Sequence, residues 1–270
     1  MNNIKEALEK VGAVEALSVA GEKTSPMSQT HSAASEGRGP RKAVNPSYSR
    51  TRTLQVDPRW LRRNRIVSLS KNDPIRDQMR ILHTQVLNRM QEIGARTLMV
   101  ASAHPGEGKT LTSINLAVSL SQKLDQTVLL VDADLRKPAV HQYLGFHVDA
   151  GLSEYLLGQA DIPDLLVNPG IEKLVVLPGG TPLPNSSELL GSPAMEALLS
   201  EMRDRYEDRV VVIDTASLLT CADPLVMSRF VDAVLLVVEC ERTSTRDLEK
   251  ALELLKDSKI VGTVFNKAKE

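Results

Sequence analysis

From residue 97 onward, short unbroken apolar runs alternate with stretches of helical period. The runs lie at 97–103, 127–132, 173–177, 209–214, 233–239 and 260–265. Their continuity predicts strands covered on both faces rather than half-buried ones. Helical spacing between most of them predicts helices at 109–123, 192–206, 222–230 and 243–257. Another helix opens at Asp73, with Pro74 in its first turn and Ile75, Met79, Leu82, Val86, Leu87 and Met90 along one face. This alternation implies an α/β fold: a mostly parallel sheet with helices on both faces.

The first 70 residues read differently. Ile4, Leu8, Val11, Val14 and Leu17 recur at helical spacing and predict a short amphipathic helix in residues 1–20. Residues 21–70 predict a linker. As far as 55 they are rich in Ser, Thr, Gly, Pro and Arg, and Trp60 and Leu61 then offer an anchor to the domain at 71–270.

Composition is ordinary, with 42% hydrophobic and 25% charged residues and a net charge of −1. That balance argues against a nucleic-acid binder. The charge is uneven, however: residues 21–65 carry a net +7. Such a stretch is either a solvated linker or an arm for anionic lipid or an acidic partner. Cys221 and Cys240 form no metal-type pair. Neither a secretory signal nor a membrane-length apolar run is present, so a cytoplasmic location is expected.

The strand at 97–103 runs directly into Ala103-His104-Pro105-Gly106-Glu107-Gly108-Lys109-Thr110, and a helix follows. This matches the G-x-x-x-x-G-K-[ST] phosphate loop with alanine in the first glycine position. Pro105, Gly106, Glu107, Gly108, Lys109, Thr110 and Leu111 are the expected nucleotide contacts. The glycines let backbone N–H groups curl around phosphate oxygens. Lys109 supplies a charge for the outer phosphates, and the Thr110 hydroxyl a ligand for Mg²⁺. ATP and Mg²⁺ are the expected cofactors.

Two strands end in acids, one at Asp132-Ala133-Asp134 and one at Asp214. Carboxylates at the C-terminal ends of parallel strands gather where such sheets bind ligands. Asp132 and Asp214 are candidate Mg²⁺ ligands, directly or through water, and Asp134 is a candidate to accept a proton from, or orient, an attacking hydroxyl. The alternative is that they cap helices or turns. Arg136 is placed to meet a carboxylate or a neighbouring subunit. Asn266, at the end of the last strand, is a candidate for a base edge, or a plain turn residue.

With these motifs in place the chain resembles the bacterial tyrosine kinases of capsule and exopolysaccharide synthesis. The matching residues are P-G-E-G-K-T (105–110), V-L-L-V-D-A-D-L-R (128–136), V-V-V-I-D (210–214), the loop at 177–192 and A-D-P-L-V (222–226). The opening I-K-E-A-L-E-K is similar to the subgroup encoded with exosortase-linked loci. The resemblance implies a P-loop NTPase fold of the partition-ATPase (SIMIBI) kind. It also implies transfer of the ATP γ-phosphoryl group to tyrosine, with Lys109, Asp132, Asp134 and Asp214 as the catalytic set. The implied partners are a membrane chain-length regulator of the Wzz type, at the inner face of the plasma membrane, and further copies of the chain; no specific nucleic acid is implied. Partition ATPases carry a signature lysine where this chain has His104. The family's terminal tyrosine cluster has no counterpart after Tyr206, and its E-x-x-R-x-x-R helix motif appears as Asp77-x-x-Arg80-x-x-His83. A nucleotide-switched regulator without tyrosine transfer, or a partition-type ATPase, are the alternative readings.

Overall fold

The computed structural model describes residues 51–69, 74–123 and 125–268. The expected helix at 3–19, Tyr48 and most of the basic stretch lie outside them. Among the described residues eight strands form one sheet: β1 (Arg52–Thr53), β2 (Thr97–Ser102), β3 (Thr127–Asp132), β4 (Val167–Asn168), β5 (Leu174–Leu177), β6 (Arg209–Asp214), β7 (Ala233–Glu239) and β8 (Ile260–Asn266). Their order is β1-β4-β5-β3-β6-β2-β7-β8, and only the β4–β5 pairing is antiparallel. All six expected strands are present. The two additions, β1 and β4, are two residues each, too short for any periodicity to show.

The unbroken apolar runs have the cause expected of them. Leu98 and Val100 of β2 enter one buried cluster, while Met99 and Ala101 enter another on the opposite face. The helices α1 (Pro58–Arg63), α2 (Pro74–Glu92) and α3 (Lys109–Ser121) cover the first face. The short helices α4 (Val140–Leu144), α5 (Leu152–Leu156), α6 (Ile162–Leu165) and α7 (Ser186–Leu190) follow along the chain. The second face is covered mainly by α8 (Pro193–Asp204) and α10 (Thr245–Leu254), with α9 (Asp223–Met227) between them in sequence. Along α2, Leu82, Val86, Leu87 and Met90 are buried as expected, but Ile75 at its start is 45% exposed.

The last part of the expected linker belongs to the folded body. β1 pairs with β4, Leu61 and Ile66 join the core cluster, and Val67 is buried beside them in sequence. One polar side chain holds this segment. The buried Asn115 of α3 accepts from the Val67 and Ser68 N–H groups (2.9 and 3.2 Å) and donates to the Arg65 carbonyl (3.0 Å). Sequence period marks Asn115 only as a polar gap in an apolar helix. It here matches the polar edge of a backbone that would otherwise be buried unpaired.

His83 packs α2 on α3, with Nδ1 2.6 Å from the Ser119 hydroxyl. Burial, then the charges of Lys123 and Arg80, lower its pKa to about 4. The unfolded chain therefore takes up this proton first as pH falls. The associated stability is complete above pH 6.5 and is lost as pH drops towards 4. His83→Gln, which keeps a polar contact to Ser119, is expected to flatten roughly 2–3 kcal/mol of that decline. Denaturant midpoints of both proteins between pH 7 and 4.5 measure it; parallel curves would refute it.

Candidate functional site

Register brings the candidate residues together. β6 lies between β3 and β2, and Asp132 and Asp214 are direct register partners at the ends of adjacent strands. The phosphate loop leaves the same edge of β2. Gly106 and Gly108 have φ of +85° and +97°, a region costly for any side chain. Gly108 caps α3 without a side-chain hydrogen bond. The first N–H groups of that helix are thus available to an anion, with the helix dipole behind them.

The loop is held from the side of β7 and β8. Glu107 is buried, and its carboxylate accepts from the His104 N–H (3.0 Å) and the Thr243 hydroxyl. Asn266 donates its amide to the Glu107 carbonyl (2.8 Å), and Lys267 donates to the Gly106 carbonyl (2.7 Å) while pairing with Glu239 (3.1 Å). Asn266, a candidate for a base edge or a plain turn residue, braces the loop here through its Nδ2 amide. Leu111 packs its side chain against the core, which leaves only its backbone for a ligand. His104 faces Asp247 at 3.3 Å within the same chain.

A Cβ at residue 108 would stand 2.0 Å from Asn266 Nδ2. Gly108→Ala would thus strain φ by about 1 kcal/mol and push away the brace. The expected result is at least a tenfold loss of nucleotide affinity in a fluorescent-nucleotide titration, with a smaller drop in thermal midpoint. Unchanged affinity would contradict the bracing role.

The charged centre is compact. Lys109 Nζ lies 3.2 Å from Asp134 Oδ2. Burial alone would lower the Lys109 pKa, but the charges of Asp214, Asp134 and Asp132 outweigh it and hold the ammonium raised. Asp214 is fully enclosed. Its Oδ1 accepts from Ser113 (3.2 Å), and the nearby Thr110 hydroxyl favours its ionised form, whereas Oδ2 is buried without a hydrogen-bond partner among the described residues. Burial raises its pKa to about 6, against the opposing pull of Lys109. Burial, then the charge of Asp214, raises Asp132 to about 8. Both Asp132 oxygens are already engaged: Oδ1 by the Asp134 N–H (3.3 Å), and Oδ2 by the N–H groups of Ala139 and Val140 (2.9 and 3.0 Å). Asp132 thus stands at the site as expected, its carboxylate oriented by these N–H groups, with acceptor capacity left on Oδ1 for a cation or its water. The unpartnered Asp214 oxygen beside the Thr110 hydroxyl does fit a hard cation. No group of three or more His, Cys, Asp or Glu side chains forms a metal cage among the described residues, so such an ion needs water and phosphate to complete its shell.

A second charged group walls the site. Arg136 reaches the buried Asp223 through Nε and Nη2 (3.1 and 3.3 Å), and the hydroxyls of Ser186 and Ser187 donate to the same carboxylate. Burial opposes ionisation of Asp223, but these donors prevail and its pKa is lowered. This ties the loop at 177–192 to the start of α9, and the Leu183 N–H adds a bond to the Leu135 carbonyl (2.7 Å). Sequence reasoning left the partner of Arg136 open and gave no signal for Ser113, Ser186, Ser187 or Thr243, whose roles arise from side-chain contacts far apart in sequence. Of the tyrosines, Tyr143 and Tyr155 are partly buried against the core, and Tyr206 is 47% exposed with Arg209 over its ring.

A family model described as an AAA domain matches residues 95–266. The chain is 33% identical over 208 residues to the tyrosine-protein kinase YwqD of Bacillus subtilis, covering 76% of this chain and 86% of that protein. It is 30% identical over 195 residues to the putative tyrosine-protein kinase CapB of Staphylococcus aureus, covering 72% and 84%. Its structure superposes on the kinase domain of the Escherichia coli tyrosine kinase ETK with a TM-score of 0.70 at 27% identity, covering 84% of this chain and 93% of that one.

Proposed function

The chain belongs to the AAA-domain P-loop proteins and, within them, to the bacterial tyrosine-protein kinases; from that premise we propose that it transfers the γ-phosphoryl group of ATP to protein tyrosine, with Mg²⁺, in the control of exopolysaccharide polymerisation or export. The observation that carries the reading is the Lys109–Asp134 pair at 3.2 Å, set beside an Asp214 oxygen that has no partner among the described residues. The first N–H groups of α3 and the loop backbone bind the phosphates. Lys109 leaves Asp134 to meet the outer phosphates, and Asp134 is then free to act as base. It takes the proton of the tyrosine hydroxyl as that oxygen bonds to the γ-phosphorus, the bond to the β–γ bridging oxygen breaks, and ADP departs. Thr110 and Asp214 would hold Mg²⁺, which when bound neutralises charge on the phosphate oxygens. Asp132 positions the turn that carries Asp134.

Tyr206 precedes β6 and so lies at the edge of the sheet opposite the phosphate loop. The acceptor is therefore a tyrosine of another copy or partner, or Tyr48 in the basic stretch. No helix among the described residues is long and apolar enough to cross a membrane. Recruitment to the inner face of the membrane would then come through a chain-length regulator of the Wzz type. Mass spectrometry for phosphotyrosine, after incubation with Mg-ATP and the cytoplasmic segment of that partner, tests the reading. Modification of either protein, absent with Lys109→Met, is expected. The partial burial of Tyr143 and Tyr155, and the position of Tyr206 at the opposite edge of the sheet, also favour a second reading, a nucleotide-switched regulator. Nucleotide-dependent assembly with no phosphotyrosine on any protein would select it.

A further inference from the structure

The best-defined charged surface away from the nucleotide site is the segment around α1. Its Leu61 points into the core. At 100° per residue Arg59 and Arg63 then lie opposite Leu61, with Trp60 and Arg62 on its two flanks. Arg52 and Arg65 extend the patch on either side, and all five arginines are exposed. None of them pairs with a carboxylate among the described residues.

Two apolar features accompany the charge. Trp60 is 43% exposed, yet its ring is fixed: Nε1 donates to the Gln142 carbonyl (3.1 Å), and the ring lies so close to Gly145 that a Cβ there would meet it at 2.4 Å. Behind Arg62 opens a pocket of about 570 Å³ lined by Val56, Leu61, Ile66, Leu69 and Ile171, with Leu69 itself exposed. Exposed arginines attract phosphate headgroups, a fixed and half-exposed tryptophan suits the headgroup level, and an apolar lip suits the start of the acyl region.

The location is compatible with a surface-bound enzyme. The segment is anchored on α3 and α4: the Arg65 carbonyl accepts from Asn115 of α3 (3.0 Å), and Trp60 Nε1 donates to Gln142 of α4 (3.1 Å). The pocket also opens beside Ile171, ahead of β5, whereas the phosphate loop follows the far end of the parallel β2. The apolar lip of the patch therefore lies toward the end of the sheet opposite the phosphate loop.

We infer that the α1 face, centred on Arg59, Arg62, Arg63 and Trp60, is a docking surface for an anionic membrane leaflet. The inference stands on surface chemistry and does not depend on tyrosine transfer. The test is sedimentation of the full chain with vesicles of phosphatidylcholine alone or with phosphatidylglycerol, at low and high salt. Binding is expected only with the anionic lipid, falling steeply with salt. The triple variant Arg59→Glu, Arg62→Glu, Arg63→Glu is expected to lose at least a hundredfold in vesicle affinity. Replacement of the same three by lysine should retain binding. Neutralising Lys23, Arg38, Arg41, Lys42 and Arg50 instead should cost less than the triple reversal. Nucleotide titration of each variant separates a folding defect, or a failed nucleotide site, from a lost surface. Equal binding to both vesicle types, full binding by the folded glutamate variant, or capture only of nucleic acid or an acidic peptide would overturn the proposal.

Discussion

Lys109→Met is expected to reduce phosphotyrosine formation by at least a thousandfold and to weaken Mg-ATP binding severely. The charge on Lys109 has two settings. Without nucleotide it lies among Asp134, Asp214 and Asp132, where their attraction overrides its burial. In the proposed mechanism the same ammonium is drawn to the outer phosphates when nucleotide binds. Methionine matches the stem but not the charge. The enclosed carboxylates would then lose their common counter-ion, and Asp214 and Asp132 would hold their protons to higher pH. The variant should remain folded near pH 6 and lose stability as pH rises. Phosphotyrosine content, nucleotide affinity and thermal midpoints at pH 6 and 8 give three separate readings. Activity within tenfold of the parent would remove Lys109 from the mechanism.

The second large effect is expected at Asp134. Asp134→Asn retains the size of the side chain and an acceptor for the Lys137 N–H, now bonded to Oδ1 at 3.1 Å. It removes the proton acceptor. A general base contributes about 10²–10⁴-fold, so phosphotyrosine formation should fall within that range while Mg-ATP affinity changes little. The contrast with Asp214→Asn is informative. Asp214 has its unpartnered oxygen beside Thr110, so its loss should raise the Mg²⁺ requirement as well as lower the rate. A common loss of nucleotide affinity in both variants would show that Asp134 serves binding rather than proton transfer.

The site was legible in sequence wherever its parts are consecutive. The loop at 103–110 and the acids ending β3 and β6 declare themselves because strand, turn and helix follow each other in a few residues. The fold was legible for a similar reason: doubly covered strands lose the alternating pattern, and that loss is itself a signal. What escaped are pairs with no local spacing. Asn115 is matched to Arg65 and Ser68, Asp223 to Arg136 and Ser186, and Glu107 to Thr243, each across dozens of residues or more. Linker composition ends near residue 55, and beyond it only Trp60 and Leu61 signal an anchor, so the segment at 52–69 carries little local signature of its folded extent. Its few apolar residues, Leu61, Ile66 and Val67, suffice because a buried asparagine satisfies the backbone they bring with them.

The brace from Asn266 to the phosphate loop spans 159 residues of sequence, and so sets an order of events during synthesis. A chain emerging from the ribosome completes β2, the loop and α3 long before β8 exists. Until β8 docks on β7, Gly106 and Glu107 lack the contacts from Lys267 and Asn266 that fix their carbonyls. Contacts of such separation form late because loop closure must precede them. The phosphate loop therefore reaches its braced form only after the chain has been made as far as β8 and that strand has docked.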